Sequence, residues 1–207
     1  MHTHLHFEYF TVIYDSSLKE MVKMKVVGFV GSPRKNGNTD VLVQQVLDGA
    51  AEAGADVEKF YINEMNIKGC QGCTYCREVD ACKLKDDMSK VYDALKNADG
   101  FVFGSPIYFF QFTSQMRQVI DRCWALVNPD FTPRIEAGKK AIIVSAQGNP
   151  EPDAFKGVFE EFGQILQMFG MEVKGTFVDV GHHAPGEAKE NAELMGQAKT
   201  AGTQLFA

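Results

Sequence analysis

The chain has 207 residues, 45% of them hydrophobic and 23% charged, which suits one domain with enough apolar material for a packed core. A formal net charge of -6 argues against functions that rely on a basic surface, so neither nonspecific nucleic-acid binding nor attachment to an anionic membrane is expected, while a small local basic pocket stays open. No apolar run reaches the roughly 18 residues that could span a bilayer, and the start MHTHLHFEYFTVIYDSS lacks the pattern of a signal peptide, so the expectation is a cytoplasmic protein.

Residues 1–23 read as an N-terminal extension without a motif; His2, His4 and His6 alternate there and are assigned no function. The domain proper runs over 24–207. Residues 25–30 (KVVGFV) predict a first strand that ends at Gly31, Ser32 and Pro33. Thr39 then opens a helix with Leu42, Val46, Gly49 and Ala53 on one stripe, stopped by Gly54. Residues 57–62 predict a second strand.

The pattern then breaks into a cysteine-bearing loop over 63–87, the main insertion, until Asp86 or Asp87 caps a helix through Met88, Val91 and Leu95. GFVFG at 100–104 is a third strand, followed by SPIYFFQF and a helix carrying Met116, Val119, Ile120 and Cys123. On that helix Arg117 and Asp121 make a surface pair, and Cys123 is a core residue. AIIVSA at 141–146 is a fourth strand. The next helix places Phe155, Val158, Phe162, Ile165 and Phe169 three and four apart. A fifth strand over 173–180 leads into His182 and His183, read as loop residues at the edge where ligands bind, and a polar helix closes the chain.

Five short apolar strands alternating with about five helices indicate an α/β fold, an open parallel sheet covered on both faces. Five strands favour the flavodoxin-like order 2-1-3-4-5, with ligands beyond the carboxyl ends of the strands. The unusual loops all follow strands.

The first of these, GSPRKNGNT, joins strand one to helix one, where free amide groups and the helix dipole favour an anion. Ser32 and Thr39 add hydroxyls, Asn36 and Asn38 amides, Arg34 and Lys35 positive charge, and Gly37 a flexible backbone. A triphosphate loop would need Gly-Lys-Ser/Thr where Gly37, Asn38 and Thr39 stand, and no G-x-G-x-x-G fingerprint is present. A phosphatase loop would need a nucleophilic cysteine, which is missing. A plain capped turn is the simpler alternative, but capping needs one polar residue rather than six.

After strand three, Pro106 stiffens a turn in which Ile107 through Phe109 could present main-chain groups to a flat ring and Tyr108, Phe109 or Phe110 could cover it; a buried aromatic cluster is the alternative. After strand four, the glycine of AQGNP, Gly148, could let the backbone approach a ring, unless the segment forms only a turn.

Together, GSPRKNGNT, GSPIYFFQFTSQMRQVIDR and SAQGNP resemble the NADPH-dependent FMN reductase superfamily, and the intervening cysteines narrow the resemblance to its iron-sulfur flavoproteins. The likeness covers about 25–180. It implies a flavodoxin-like fold, FMN, and dimers or tetramers with the flavin at a subunit interface. By matching motif, it implies that Ser32, Arg34, Asn36, Asn38 and Thr39 bind the phosphate and that Pro106, Ile107, Tyr108 and Phe109 contact the ring, helped by Gln147 and Gly148.

Cys70, Cys73, Cys76 and Cys82 read C-x2-C-x2-C-x5-C, with Gly69 and Gly72 giving the backbone room to wrap a cluster. Three thiolates within seven residues suit three corners of a cubane and the fourth closes it, so a 4Fe-4S cluster is expected; a structural zinc is the rival. Electron transfer between FMN and that cluster, serving a redox partner protein, is the leading expectation. The alternative is an NAD(P)H-dependent FMN or quinone reductase whose cysteine loop is structural or holds zinc. A flavin-free zinc-binding interaction module is the third reading.

Overall fold

The computed structural model describes residues 23–207, so residues 1–22 of the extension, with His2, His4 and His6, lie outside the described residues. The elements in chain order are β1 (Lys25–Val30), α1 (Asn38–Glu52), β2 (Asp56–Tyr61), α2 (Tyr75–Glu78), α3 (Met88–Asn97), β3 (Gly100–Gly104), β4 (Ile107–Tyr108) and β5 (Gln111–Phe112). They continue with α4 (Ser114–Arg122), β6 (Lys140–Gln147), α5 (Lys156–Met168), β7 (Glu172–Val180) and α6 (Ala192–Thr203). The main sheet has the order β2-β1-β3-β6-β7 with every pair parallel. Once the small β4–β5 hairpin is set aside, that is the 2-1-3-4-5 order read from the sequence.

Alternation along the strands divides the core. Val27, Phe29, Phe101, Phe103 and Ile143 face α3, α4 and α5 through Met88, Leu95, Met116, Val119, Phe162 and Leu166. Val26, Val30, Val102, Ile142 and Val144 face α1 and α6 through Leu42, Val46, Leu47 and Ala198. Phe29 stacks on Phe103 at 5.4 Å and Phe60 at 5.7 Å between ring centroids. Each such ring contributes on the order of 1.5–3 kcal/mol by leaving water. Gly49 and Gly202 let α1 and α6 touch backbone to backbone, since a Cβ on either would overlap a carbonyl of the other helix.

Two details depart from the sequence pattern, and a third selects between two caps that it offered. The segment after β3 is a hairpin, not an open loop, with Phe109 and Phe110 both at positive φ (45° and 69°) in its turn. The cysteine loop contains one helical turn, α2, entered through Thr74 at φ 56°. At the start of α3, Asp86 supplies the cap contact, its Oδ1 accepting from Met88 N at 3.2 Å, while Asp87 turns back to accept from Asn66 N at 2.9 Å. Arg117 and Asp121 pair on the surface at 3.0 Å as expected. No described helix is long and apolar enough to cross a membrane.

Candidate functional site

The loops after β1, β3, β6 and β7 open at the carboxyl edge of the sheet onto one cleft of about 300 Å³. Its lining brings together Ser32, Arg34, Gly37, Asn38 and Thr39 from the first loop, Pro106, Ile107 and Tyr108 from the second, and Gln147 and Gly148 from the third. Two of the predicted residues stand outside it. Asn36 is exposed, held at φ 57° with its N–H donated to Asp40 Oδ2 at 2.7 Å. Phe109 is 96% exposed at the tip of the hairpin.

The first loop folds on itself and onto its neighbours. Ser32 Oγ accepts from Arg34 N at 3.1 Å, and Gly37 N donates to Arg34 O at 3.2 Å. Asn38 Oδ1 accepts from Ala188 N at 3.2 Å and Arg34 Nη1 donates to His183 O at 3.2 Å, which ties this loop to the one after β7. Behind it, buried Asp40 accepts from Lys59 Nζ at 2.8 Å and from Tyr61 OH at 3.1 Å. Lys35, expected to serve the anion, instead pairs with Glu64 at 2.6 Å and lies over the Tyr61 ring. Arg34 is therefore the cation of this loop that lines the cleft.

The anion end lacks a partner. Gly37 occupies the N-cap of α1 and brings no side-chain cap bond, so the first-turn N–H groups remain available. Thr39 Oγ1 and Gln147 Oε1, both in residues lining the cleft, are buried without a hydrogen-bond partner among the described residues. Buried polar atoms are rarely left so.

The fourth loop contributes two residues that the sequence motifs did not assign. A Cβ at Gly148 would meet the His183 ring at 2.6 Å, so that imidazole packs on bare backbone. His182 Nδ1 lies 2.7 Å from Oδ1 of fully buried Asp179, whose Oδ2 has no partner among the described residues. The hydrogen bond to Asp179 raises the His182 pKa, and burial raises that of Asp179.

The four clustered cysteines share a second cavity, of about 200 Å³, with Gly72, Thr74, Arg122 and Trp124 also on its walls. All four are free thiols. Burial raises the pKa of Cys76, with Cys82 and Cys70 adding like-charge repulsion. Among the described residues, no three His, Cys, Asp or Glu side chains are grouped so as to hold a metal ion. Arg122 closes the stems of the loop: its Nη1 donates to Lys68 O and to Asp86 Oδ2, each at 2.7 Å, and its Nη2 to Asp86 Oδ1 at 3.0 Å. Asp86 Oδ2 also accepts from Lys68 N at 3.1 Å. Arg77 pins α2 from the other side, donating to Val127 O and Asn128 O and stacking 4.5 Å above Trp124. The signal for Arg122 was present in the sequence: it sits three residues after Val119 on a buried helical face, where an arginine demands a partner.

Residues 24–182 match the family model described as NADPH-dependent FMN reductase. An iron-sulfur flavoprotein of Methanocaldococcus jannaschii is 30% identical over 88% of this chain and 95% of its own length. A second from the same organism is 35% identical over 83% and 91%. Among solved structures, an NAD(P)H:quinone oxidoreductase from Methanothermobacter marburgensis superposes with a TM-score of 0.67 at 21% identity, covering 89% of this chain and 97% of its own. An azoreductase from Bacillus anthracis gives 0.67 at 18% identity, covering 87% and 99%, and both likenesses speak to the fold. With the matched residues spanning the cleft-forming loops, the chain belongs to the NADPH-dependent FMN reductase family and, within it, to the iron-sulfur flavoproteins: it is an FMN-dependent oxidoreductase.

Proposed function

We propose that the cleft holds FMN with its phosphate at the start of α1, and that the flavin exchanges electrons with a 4Fe-4S cluster ligated by Cys70, Cys73, Cys76 and Cys82. The observation that carries the first half is the buried, unpartnered Thr39 hydroxyl beside the open N-terminus of α1. A phosphate there would accept from Thr39, Ser32, the α1 amides and Arg34. Asn38 is already committed to Ala188 and orients the loop. Pro106, Ile107 and Tyr108 would meet the ring from one loop and Gly148, with His183 packed on it, from another, with Gln147 Oε1 free to receive an N–H from the ring edge.

FMN supplies chemistry that no side chain has, taking two electrons as a hydride and releasing them one at a time. The chain's part would be to bind it and to place His182, whose Nδ1 lies against Asp179, at the cleft. For the cluster, the donor set is the argument. Four thiols on the walls of one cavity supply the sulfur donors that a cluster with one iron facing each sulfur needs. The relatives' names point the same way. NAD(P)H as donor, a redox protein or small molecule as acceptor, and a dimer or tetramer complete the proposal.

A second reading is NAD(P)H-dependent reduction of a quinone or flavin, with the cysteine loop purely structural. The clasp of Lys68, Asp86 and Arg122 favours it, because that clasp closes the loop without any metal. Protein reconstituted anaerobically with FMN, iron and sulfide separates the two. The first requires flavin absorbance together with four irons per chain, and loss of iron but not flavin in Cys73→Ser. Full NADPH-quinone turnover in Cys73→Ser would instead make the loop structural.

A further inference from the structure

The cysteine cavity has a charged wall. Arg122 lines it while being only 2% exposed, and its Nε is buried with no partner among the described residues. Its carboxylate partner Asp86 does not line that cavity; it lines the adjoining cleft with Tyr92 and Lys85, and Cys82, Leu84 and Ala125 border both. The pair is neutral in sum, and its guanidinium end is the one on the wall of the cavity that all four thiols share, while the carboxylate end shares its cleft with Cys82 alone. Buried ion pairs are weak contributors to stability compared with apolar residues of the same volume, so this one calls for another reason. The other polar groups around Arg122 are the Tyr92 hydroxyl, donating to the Arg122 carbonyl at 2.9 Å, and Lys83 and Cys82 on the same wall.

We infer that Arg122 sets the reduction potential of the cluster, raising it so that electrons leave the flavin for the iron. This rests on the reading that the cysteines hold 4Fe-4S. Four thiolates and the iron-sulfide core are anionic, and more so once reduced, so a fixed cation in a low-dielectric wall favours the reduced form. In the transfer one electron leaves the reduced flavin and one enters the cluster, no bond at iron forms or breaks, and the proton released by the flavin passes to water.

The test is a potentiometric titration of the reconstituted full chain, with electron paramagnetic resonance reporting the cluster and visible absorbance the flavin. Replacing both charges by amides, Arg122→Gln with Asp86→Asn, avoids stranding a carboxylate. The expected result is about a tenfold loss in the cluster's hold on its electron relative to the flavin, ~59 mV for a one-electron couple. The flavin potential stays in place, and Arg122→Lys, which keeps the charge, stays near the wild type. An unchanged cluster potential in the double variant overturns the inference, as does an equal shift in Arg122→Lys. If the amide pair loads iron poorly, the apolar pair Arg122→Met with Asp86→Leu takes its place: a lowered cluster potential supports the inference and an unchanged one overturns it. Iron uptake by the wild-type chain is measured before any variant; a wild type that takes up no iron removes the cluster reading itself, and this inference with it.

Discussion

The hydroxyl of Thr113 donates to the carbonyl of Gly31 across 2.8 Å, joining residues 82 apart in the chain. The same oxygen caps α4 by accepting from Met116 N at 3.3 Å, and Thr113 N donates to Ser105 Oγ at 3.1 Å. Ser145 Oγ in turn donates to Ser105 O at 2.7 Å. Three buried hydroxyls thus fasten the carboxyl ends of β1, β3 and β6 to one another. Three of the four loops that line the cleft leave from this tied base.

Thr113→Val keeps the shape of the side chain and removes the link. Loss of the cap costs about 1 kcal/mol, and the buried Gly31 carbonyl left without its donor adds a comparable amount. The expected outcome is a drop of roughly 2 kcal/mol in urea unfolding, with FMN binding weakened because the first loop loses its anchor. A stability equal to the wild type would show that the carbonyl finds water instead.

Thr39→Val gives the opposite sign in the absence of ligand. The Thr39 hydroxyl is buried without a partner among the described residues, so removing it relieves a desolvation penalty on the order of 1 kcal/mol. The flavin-free variant is expected to unfold at equal or higher urea than the wild type while binding FMN about tenfold more weakly, the loss of one hydrogen bond to a charged group. Isothermal titration with FMN and parallel unfolding curves read both numbers. A loss of stability without loss of affinity would place the hydroxyl in the fold rather than the site.

How far the site could be read from the letters depended on the range of the interactions. Strand order, the donor-rich loop at Ser32 to Thr39 and the shared cavity of the four cysteines follow from local patterns, because periodicity and motif spacing are themselves local. Lys35 went astray because its place is decided by Glu64 and Tyr61, which come from β2 and the turn after it. Asp40, Asp86 and Asp179 were invisible as site residues for the same reason. Each is a single carboxylate whose meaning depends on Lys59, Arg122 or His182 arriving by tertiary contact. The β4–β5 turn was hidden by its composition, since Phe109 and Phe110 stand where a two-residue hairpin ordinarily has Asn-Gly.

That turn yields the next expectation. Positive φ at two consecutive phenylalanines costs roughly 1 kcal/mol each, and Phe110 is 72% exposed, with Phe155 and Phe109 as its ring neighbours among the described residues. Phe109→Asn with Phe110→Gly is expected to raise the melting temperature of the flavin-free chain while weakening whatever the two rings cover, flavin or a second subunit. Sedimentation with and without FMN tells which. A lower melting temperature would mean that the rings contribute more by packing than their backbone costs.

The Asp179–His182 pair predicts a pH dependence. The hydrogen bond to Asp179 raises the folded pKa of His182, with Glu187 and Glu190 adding to it, so its contribution is fully present below about pH 6.5 and lost as pH rises through the folded value. Burial raises Asp179 as well, which also makes stability fall with rising pH, from its ordinary acidic value upward. His182→Gln keeps a neutral donor and removes the charge. The flavin-free wild type should be the more stable of the two at about pH 6, with the gap closing on the alkaline side. A gap that widens with pH would mean the imidazole is neutral throughout.

The five thiols should separate by reactivity. Burial pushes the Cys123 thiol up to about 12, so at pH 8 roughly one molecule in ten thousand carries the reactive thiolate there. Cys70 and Cys73 are exposed, and Cys76 and Cys82 line the open loop cavity with them. Iodoacetamide on the reduced, metal-free chain should therefore label Cys70 and Cys73 first and Cys76 and Cys82 next, leaving Cys123 until denaturant is added. Loading iron and sulfide beforehand should protect all four loop cysteines together, because a cluster ligated by four thiolates has no free one to offer. Protection of only two would point to an ion shared with other ligands, and Cys123 labelling alongside the loop would mean that α4 opens on the timescale of the reaction. Peptide mapping of the labelled sites distinguishes these outcomes in a single experiment on the intact chain.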